Sequence, residues 1–237
     1  MGGGAKEMDL SVIVDNFRYL MVGLWPEGSL SGAAITVFLS LTSGLLSAIV
    51  GIVLGIVLAC APRWANAILV PVLGFFRSIP IVMLIFGAYF VLPKLLHIKN
   101  GDMPQWIAIS LSLGVVGGAY LAYSVAAGIN SLPKGQWRAG TALGLSWLQI
   151  MRHVILPQAL PRMLPSFINQ WVSLIKDTSL GYIIGTQELT FLARQVSSTS
   201  MQPATVYLFV ALIYFICCSL LDLAAVGLRK TLSGKTV

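Results

Sequence analysis

Two long runs without a charged residue, 28–62 and 103–133, restrict this chain more than any other feature. They hold 35 and 31 residues. A helix needs only about 20 residues to cross the hydrocarbon core of a bilayer, so either run is long enough to span it. A water-facing surface cannot be built from such stretches, and lipid is the solvent they fit.

Composition excludes the soluble alternatives. Of 237 residues, 57% are apolar and 10% charged, where a soluble domain carries about 25% charged. A chain this apolar has ample surface to bury, which also excludes disorder. The net charge of +7 would suggest nucleic acid in a soluble protein. In a membrane protein it reflects basic residues in cytoplasmic loops, so no nucleic-acid partner is expected. Cys60, Cys217 and Cys218 lie in apolar stretches without metal-like spacing and read as small lipid-phase or core residues. No metal or cofactor is expected, and no removable signal peptide is visible.

Five apolar stretches cover 30–61, 65–92, 104–131, about 160–184 and 203–228. The second is interrupted by Arg77 and Pro80, the fourth contains Lys176 and Asp177, and the fifth has Asp222 near its end. Ahead of them, Leu10, Ile13, Val14, Phe17, Leu20, Met21 and Leu24 form a helical apolar stripe. That amphipathic helix suits either the membrane surface or a partner subunit. The expected fold is all-α: a polytopic membrane helix bundle of about five transmembrane helices, plus the N-terminal amphipathic helix and a cytoplasmic helix pair. Residues 1–29 form an N-terminal outer segment, 30–230 the transmembrane domain with its loop 131–157, and 231–237 a cytoplasmic tail. Counting basic residues gives Arg63, Arg77, Lys134, Arg138, Arg152, Arg162, Arg229, Lys230 and Lys235 on one side, and Lys6, Arg18, Lys94, Lys99 and Arg194 on the other. The richer side is cytoplasmic, which puts the N-terminus outside and the C-terminus inside.

The loop 131–157 reads S-L-P-K-G-Q-W-R-A-G-T-A-L-G-L-S-W-L-Q-I-M-R-H-V-I-L-P. Helix formers fill 136–143, Gly144 allows a turn that other residues resist, Ser146 can cap a second helix over 147–154, and Pro157 is a stop. Two short helices at an angle make a knob with apolar and basic faces.

Arg138-Ala139-Gly140, Gly144 and 154–157 (V-I-L-P) have the spacing of the cytoplasmic loop motif of ABC-importer permeases, which this chain resembles. P-K-G-Q (133–136), A-L-G-L-S (142–146), V-I-L-P-Q-A-L (154–160), K-D-T-S-L (176–180) and F-R-S-I-P (76–80) are similar to its polar amino-acid branch, as are Ile184-Gly185 and Glu188-Leu189. The resemblance covers about residues 30–230. It implies a permease subunit of a binding-protein-dependent importer in the bacterial inner membrane, for a glutamate- or aspartate-like amino acid. Arg138, Ala139, Gly140, Ala142, Gly144, Leu156 and Pro157 then couple it to an ATPase dimer on separate chains, so this chain is itself no enzyme. A second permease subunit, identical or related, and an extracellular or periplasmic amino-acid-binding protein complete the implied assembly within membrane lipid. The chain departs from the motif in having Arg138 for Glu and Gly140 for Ala. In the third stretch Tyr123 and Ala126 replace the branch's Glu and Arg.

Charges at bilayer depth cost about 2.5–3.5 kcal/mol and face interiors, cavities or partners. Arg77 could meet a substrate carboxylate or bond to carbonyls freed by Pro80. Lys176 and Asp177, adjacent on a helix, point about 100° apart, so one faces the pathway and the other a subunit contact. Tyr120 and Tyr123 suit either a pathway lining or interior packing. Asp222 has an interfacial salt bridge to Arg229 or Lys230 as its simplest reading. Two rival functions remain at this level. An ion-coupled secondary transporter should show internal repeats, and none is visible; a membrane anchor needs no knob.

Overall fold

A computed structural model describes residues 9–98 and 103–233, with side chains to residue 227. Lys6, Lys99, Lys235, the final residues of the tail and the side chains of Arg229 and Lys230 lie outside the described residues, and so does the reading of Asp222. Helices α1 (Ser11–Val22), α2 (Ala33–Cys60), α3 (Arg63–Ser78), α4 (Ile81–Phe86) and α5 (Leu92–Leu95) occupy the first part of the chain. They are followed by α6 (Gln105–Asn130), α7 (Lys134–Ala142), α8 (Trp147–Ile150), α9 (Leu156–Asp177), α10 (Leu189–Ser200) and α11 (Pro203–Ser233). The all-α bundle expected from the sequence is the fold.

Helix α6 is the axis. Of its best spanning window 67% is buried, against 22% for α2 and 11% for α11. Its burial depends on small residues that let backbones meet. A Cβ on Gly51 of α2 would stand 2.5 Å from Leu121 Cβ, and one on Gly55 would collide with Val125. Ser40, Ser43 and Ser47 continue the same narrow face of α2. The charge-free runs are therefore the two helices in closest contact, with small groups between them and large ones, such as Leu45, Ile49 and Val53, turned outward.

By length and apolarity α2, α6 and α11 can each cross a membrane. The expected second span at 65–92 is different: Arg63–Ser78 and Ile81–Leu95 meet at a 99° bend, because Ile79 and Pro80 are extended between them and Pro80 disfavours helix at the residue before it. Taken as one broken span, this pair makes four. The expected stretch 160–184 is served by α9, whose 22 residues reach about 33 Å. Gln158, Arg162, Asn169, Gln170, Lys176 and Asp177 make it more polar than the others.

The stripe on α1 is divided. Ile13 and Leu20 are buried against Leu192, Val196, Val206 and Val210 of α10 and α11, whereas Leu10, Val14, Phe17 and Leu24 stay exposed. This helix thus packs on its own chain with one side and keeps an apolar side for another surface.

Candidate functional site

The knob sits at the end of the bundle where α2 finishes. Ile129, Leu132, Ile150, Met151 and Ile155 bury its base, with Ile56, Ala59 and Trp137 packed beside them. The close of α7 is a Schellman turn: Leu145 N–H donates to Gly140 C=O at 3.1 Å, and Gly144 N–H to Thr141 C=O at 3.0 Å. Gly144 has φ +74°, a region L-residues enter at a cost of about 1–2 kcal/mol. Ser146 then caps α8 as expected, its Oγ accepting from Gln149 N–H while Gln149 Oε1 accepts from Ser146 N–H at 2.8 Å.

One expectation about the knob needs correction, and one departure from the motif has a structural reason. Gly140 is buried, and a Cβ there would stand 2.7 Å from Ile150 Cγ1. The missing methyl group allows α7 to rest on α8. Pro157, expected as a stop, is not one. Backbone dihedrals stay helical from Trp147 through the π-helical turn Met151–Ile155 into α9. Proline lacks the N–H that would bond the carbonyl four residues back, and its ring clashes with that carbonyl; the wider π turn accommodates it. The second knob helix is therefore the leading end of α9. Arg138, Ala139, Ala142, Leu143, Trp147 and Leu148 are exposed on the knob. Leu156 is half-buried and Pro157 exposed at the junction.

Midway along α6 lies the second candidate region. A half-enclosed cavity of about 360 Å³ is lined by Ile81, Leu113, Val116, Gly117, Tyr120, Gln170, Ser173, Leu174 and Asp177. The 99° bend places Ile81 over it, and α9 supplies Gln170, Ser173 and Asp177 at helical spacing of three and four. Gly117 lets Gln170 lie close to α6, since a Cβ there would approach Ser47 Oγ at 2.5 Å and Gln170 Nε2 at 3.2 Å. An apolar cavity of about 570 Å³ adjoins it, sharing Gln170 and Leu174.

Arg77 sits beside this region with its guanidinium carbon 4.7 Å from the Tyr120 ring centre and 4.6 Å from that of Tyr123. Tyr120 Oη donates to the Arg77 carbonyl at 3.4 Å. The structure thus brings Arg77, Tyr120 and Tyr123 together and puts Asp177 in the cavity that Tyr120 lines. Lys176 is exposed and does not line the cavity, and it lies within electrostatic reach of both Asp177 and Cys218 on α11. Gln170 and Ser173 were missed in the sequence; their i, i+3, i+7 relation to Asp177 was the available signal.

Glu188 was also missed as a buried group. Its side chain is fully buried; its carboxylate oxygens accept from Thr190 N–H at 2.7 Å and Phe191 N–H at 2.8 Å, capping α10, and from Tyr214 Oη at 3.2 Å. Gly32 N–H donates to Gln187 C=O, and Leu189 N–H to Thr36 Oγ1 at 3.1 Å. Together these tie the start of α2 to α10 and α11. Burial pushes the Glu188 carboxyl up to about 7, against the opposing pull of its hydrogen bonds.

Residues 51–233 match the model of the binding-protein-dependent transport system inner membrane component family. The chain belongs to that family. It is 31% identical over 225 residues to the probable glutamine ABC transporter permease of Bacillus subtilis, covering 95% of this chain and 98% of that protein. Against the arginine ABC transporter permease of Haemophilus influenzae it is 30% identical over 189 residues, covering 78% of this chain and 84% of that one. The crystal structure of an amino acid ABC transporter with histidines has the same fold, with a TM-score of 0.77 at 21% identity, over 94% of this chain and 98% of that one. The family assignment is the one its loop motif implied, and it disfavours the ion-coupled secondary transporter.

Proposed function

We propose that this permease moves polar amino acids inward across the bacterial inner membrane, driven by ATP hydrolysis on separate chains. The observation that carries the substrate class is the cavity at the middle of α6. Its volume of about 360 Å³ falls within the about 300–1,000 Å³ of small-molecule sites, and it mixes a carboxylate, an amide and two hydroxyls with apolar walls. Arg77, Tyr120, Tyr123 and Asp177 belong to this pathway, while Lys176 serves a subunit or lipid contact. The similarity to permeases named for glutamine and arginine supports the same class. The sequence pointed first to a glutamate- or aspartate-like substrate; a cavity whose one charged lining group is Asp177 suits amide and cationic side chains better than acidic ones.

The knob is the coupling element. Its exposed Arg138, Ala139, Ala142, Leu143, Trp147 and Leu148 present an apolar and basic surface to an ATPase dimer. Gly140 and Gly144 shape that surface, and Leu156 and Pro157 join it to α9. Because α8 continues into α9, displacement of the knob is carried along one helix to the residues that line the cavity. A second permease subunit and a substrate-binding protein at the α1 end complete the assembly, with the N-terminus outside and the C-terminus cytoplasmic. Coupling requires that substrate and nucleotide favour different global states.

Co-purification with the cognate ATPase tests this reading. Gly144→Asp should leave membrane insertion intact and abolish most ATPase association, because it places a side chain on a positive-φ turn at the contact surface. Uptake of the twenty amino acids by the assembled complex should be confined to polar ones. Unchanged ATPase association in the variant, or ATP hydrolysis indifferent to every amino acid, would overturn it.

A further inference from the structure

We infer that the apolar cavity between α2 and α9 is a ligand site open to the bilayer, which takes a neutral, lipid-soluble molecule carrying a carbonyl acceptor on an apolar body. It is separate from the pathway proposed for amino acids and does not rest on that proposal.

The cavity of about 570 Å³ is lined by Leu41 and Leu45 of α2, Leu121 of α6 and Leu164, Phe167 and Ile168 of α9. Its volume lies within the about 300–1,000 Å³ of small-molecule sites. Leu41 and Leu45 also stand on the outward face of α2, 49% and 66% exposed, so the entrance faces hydrocarbon. A solute reaches this site from lipid rather than from water. Among the described residues no charged side chain lines it, and a charge at this depth without a partner is costly, which selects a neutral ligand. Gln170 is the wall it shares with the cavity that Asp177 lines.

Two hydrogen-bonding groups interrupt the apolar lining. Ser47 stands midway along α2 and is fully buried; Trp171 belongs to α9. Both line the cavity. Ser47 Oγ and Trp171 Nε1 are buried atoms and, among the described residues, have no hydrogen-bond partner. Glycines make room for both. A Cβ on Gly44, one turn before Ser47, would stand 3.4 Å from Trp171 Nε1, and one on Gly117 of α6 would stand 2.5 Å from Ser47 Oγ. An indole N–H only donates, and a hydroxyl can donate. The ligand that satisfies them offers an acceptor, and a carbonyl oxygen has two lone pairs for such donors. The acyl chain of a membrane lipid fills the volume but leaves both groups unpaired, which a low-dielectric site penalises.

The test compares benzophenone, two rings joined by a ketone that photocrosslinks on irradiation, with diphenylmethane, which has the same rings and no acceptor. Equilibrium binding to the purified full chain in lipid nanodiscs, corrected for partitioning into discs without protein, should favour benzophenone about tenfold. A hydrogen bond to a buried donor that otherwise stays unpaired is worth about that factor. Trp171→Phe and Ser47→Ala should each weaken benzophenone several-fold and leave diphenylmethane unchanged. Irradiation should label residues 41–48 of α2 and 164–174 of α9. Equal affinity for the two compounds, benzophenone binding indifferent to both substitutions, or labelling confined to other segments overturns the inference. So does the absence of saturable binding, which would mean that lipid or a second copy of the chain fills the space. If Trp171→Phe does not fold, Ser47→Ala, which removes a single oxygen, decides.

Discussion

At the scale of single residues, the positions that depart from the family's loop motif have structural consequences of different kinds. Gly140 is explained by contact: α7 approaches Ile150 so closely that no side chain fits. Arg138 is exposed, so its effect falls on the surface it meets. Glu188 shows how far a residue's setting can depart from its sequence context. It lies between the fourth and fifth apolar stretches in the sequence, yet it is buried, capping α10 through the Thr190 and Phe191 N–H groups. Its carboxyl is raised from 4.5 to about 7, so the folded protein holds this proton over a range where the unfolded chain has released it. Stability from this group is therefore present below about pH 4.5 and is lost as pH rises towards 7. Thermal unfolding in detergent from pH 5 to 7.5 should show the melting temperature falling with pH, and Glu188→Gln should flatten that slope. A slope unchanged by the substitution would assign the dependence to other groups.

At the scale of elements, one local device occurs twice. V-L-P at 91–93 and I-L-P at 155–157 each begin on the last residue of a π-helical turn, Gly87–Val91 and Met151–Ile155. Both prolines stand at the start of the next helical segment, where a missing N–H costs least. The sequence made Pro157 look like a stop, since proline ends most helices it enters. A helix can widen by one residue instead, and whether it does depends on neighbours; here Met151 and Ile155 are held in the core below the knob. The consequence is a lever running from Trp147 to Asp177. Pro157→Ala removes the reason for the π turn and should let the segment return to α geometry, turning the knob relative to the cavity. The complex should still assemble, while ATP hydrolysis stimulated by substrate falls several-fold. Coupling equal to that of the native chain would show that the turn has no part in it.

At the scale of the whole molecule, burial is uneven in a way that a membrane explains. The core that ties α1, α10 and α11 together includes Leu192, 1% exposed, whereas Phe215 on the same α11 is 67% exposed. Leu192→Ala should lower stability by about 2–5 kcal/mol through lost contacts and a cavity; Phe215→Ala should change the melting of the single chain in detergent little. An equal loss at both positions would mean that Phe215 packs within the single chain and does not belong to an outer face turned to lipid. Much of this organisation was legible beforehand. Charge-free runs longer than a bilayer is thick require spanning helices wherever they occur, the loop motif lies within 20 consecutive residues, and Ser146 before a helical run marks a cap, because each of these is a property of neighbouring residues. The bend after Ser78, the division of the α1 stripe, the burial of Glu188, the stacking of Arg77 on two tyrosines of α6 and the meeting of α4, α6 and α9 around Asp177 were decided only by tertiary structure. They depend on which helix faces which, and a periodic pattern states that a face is buried without stating what lies against it.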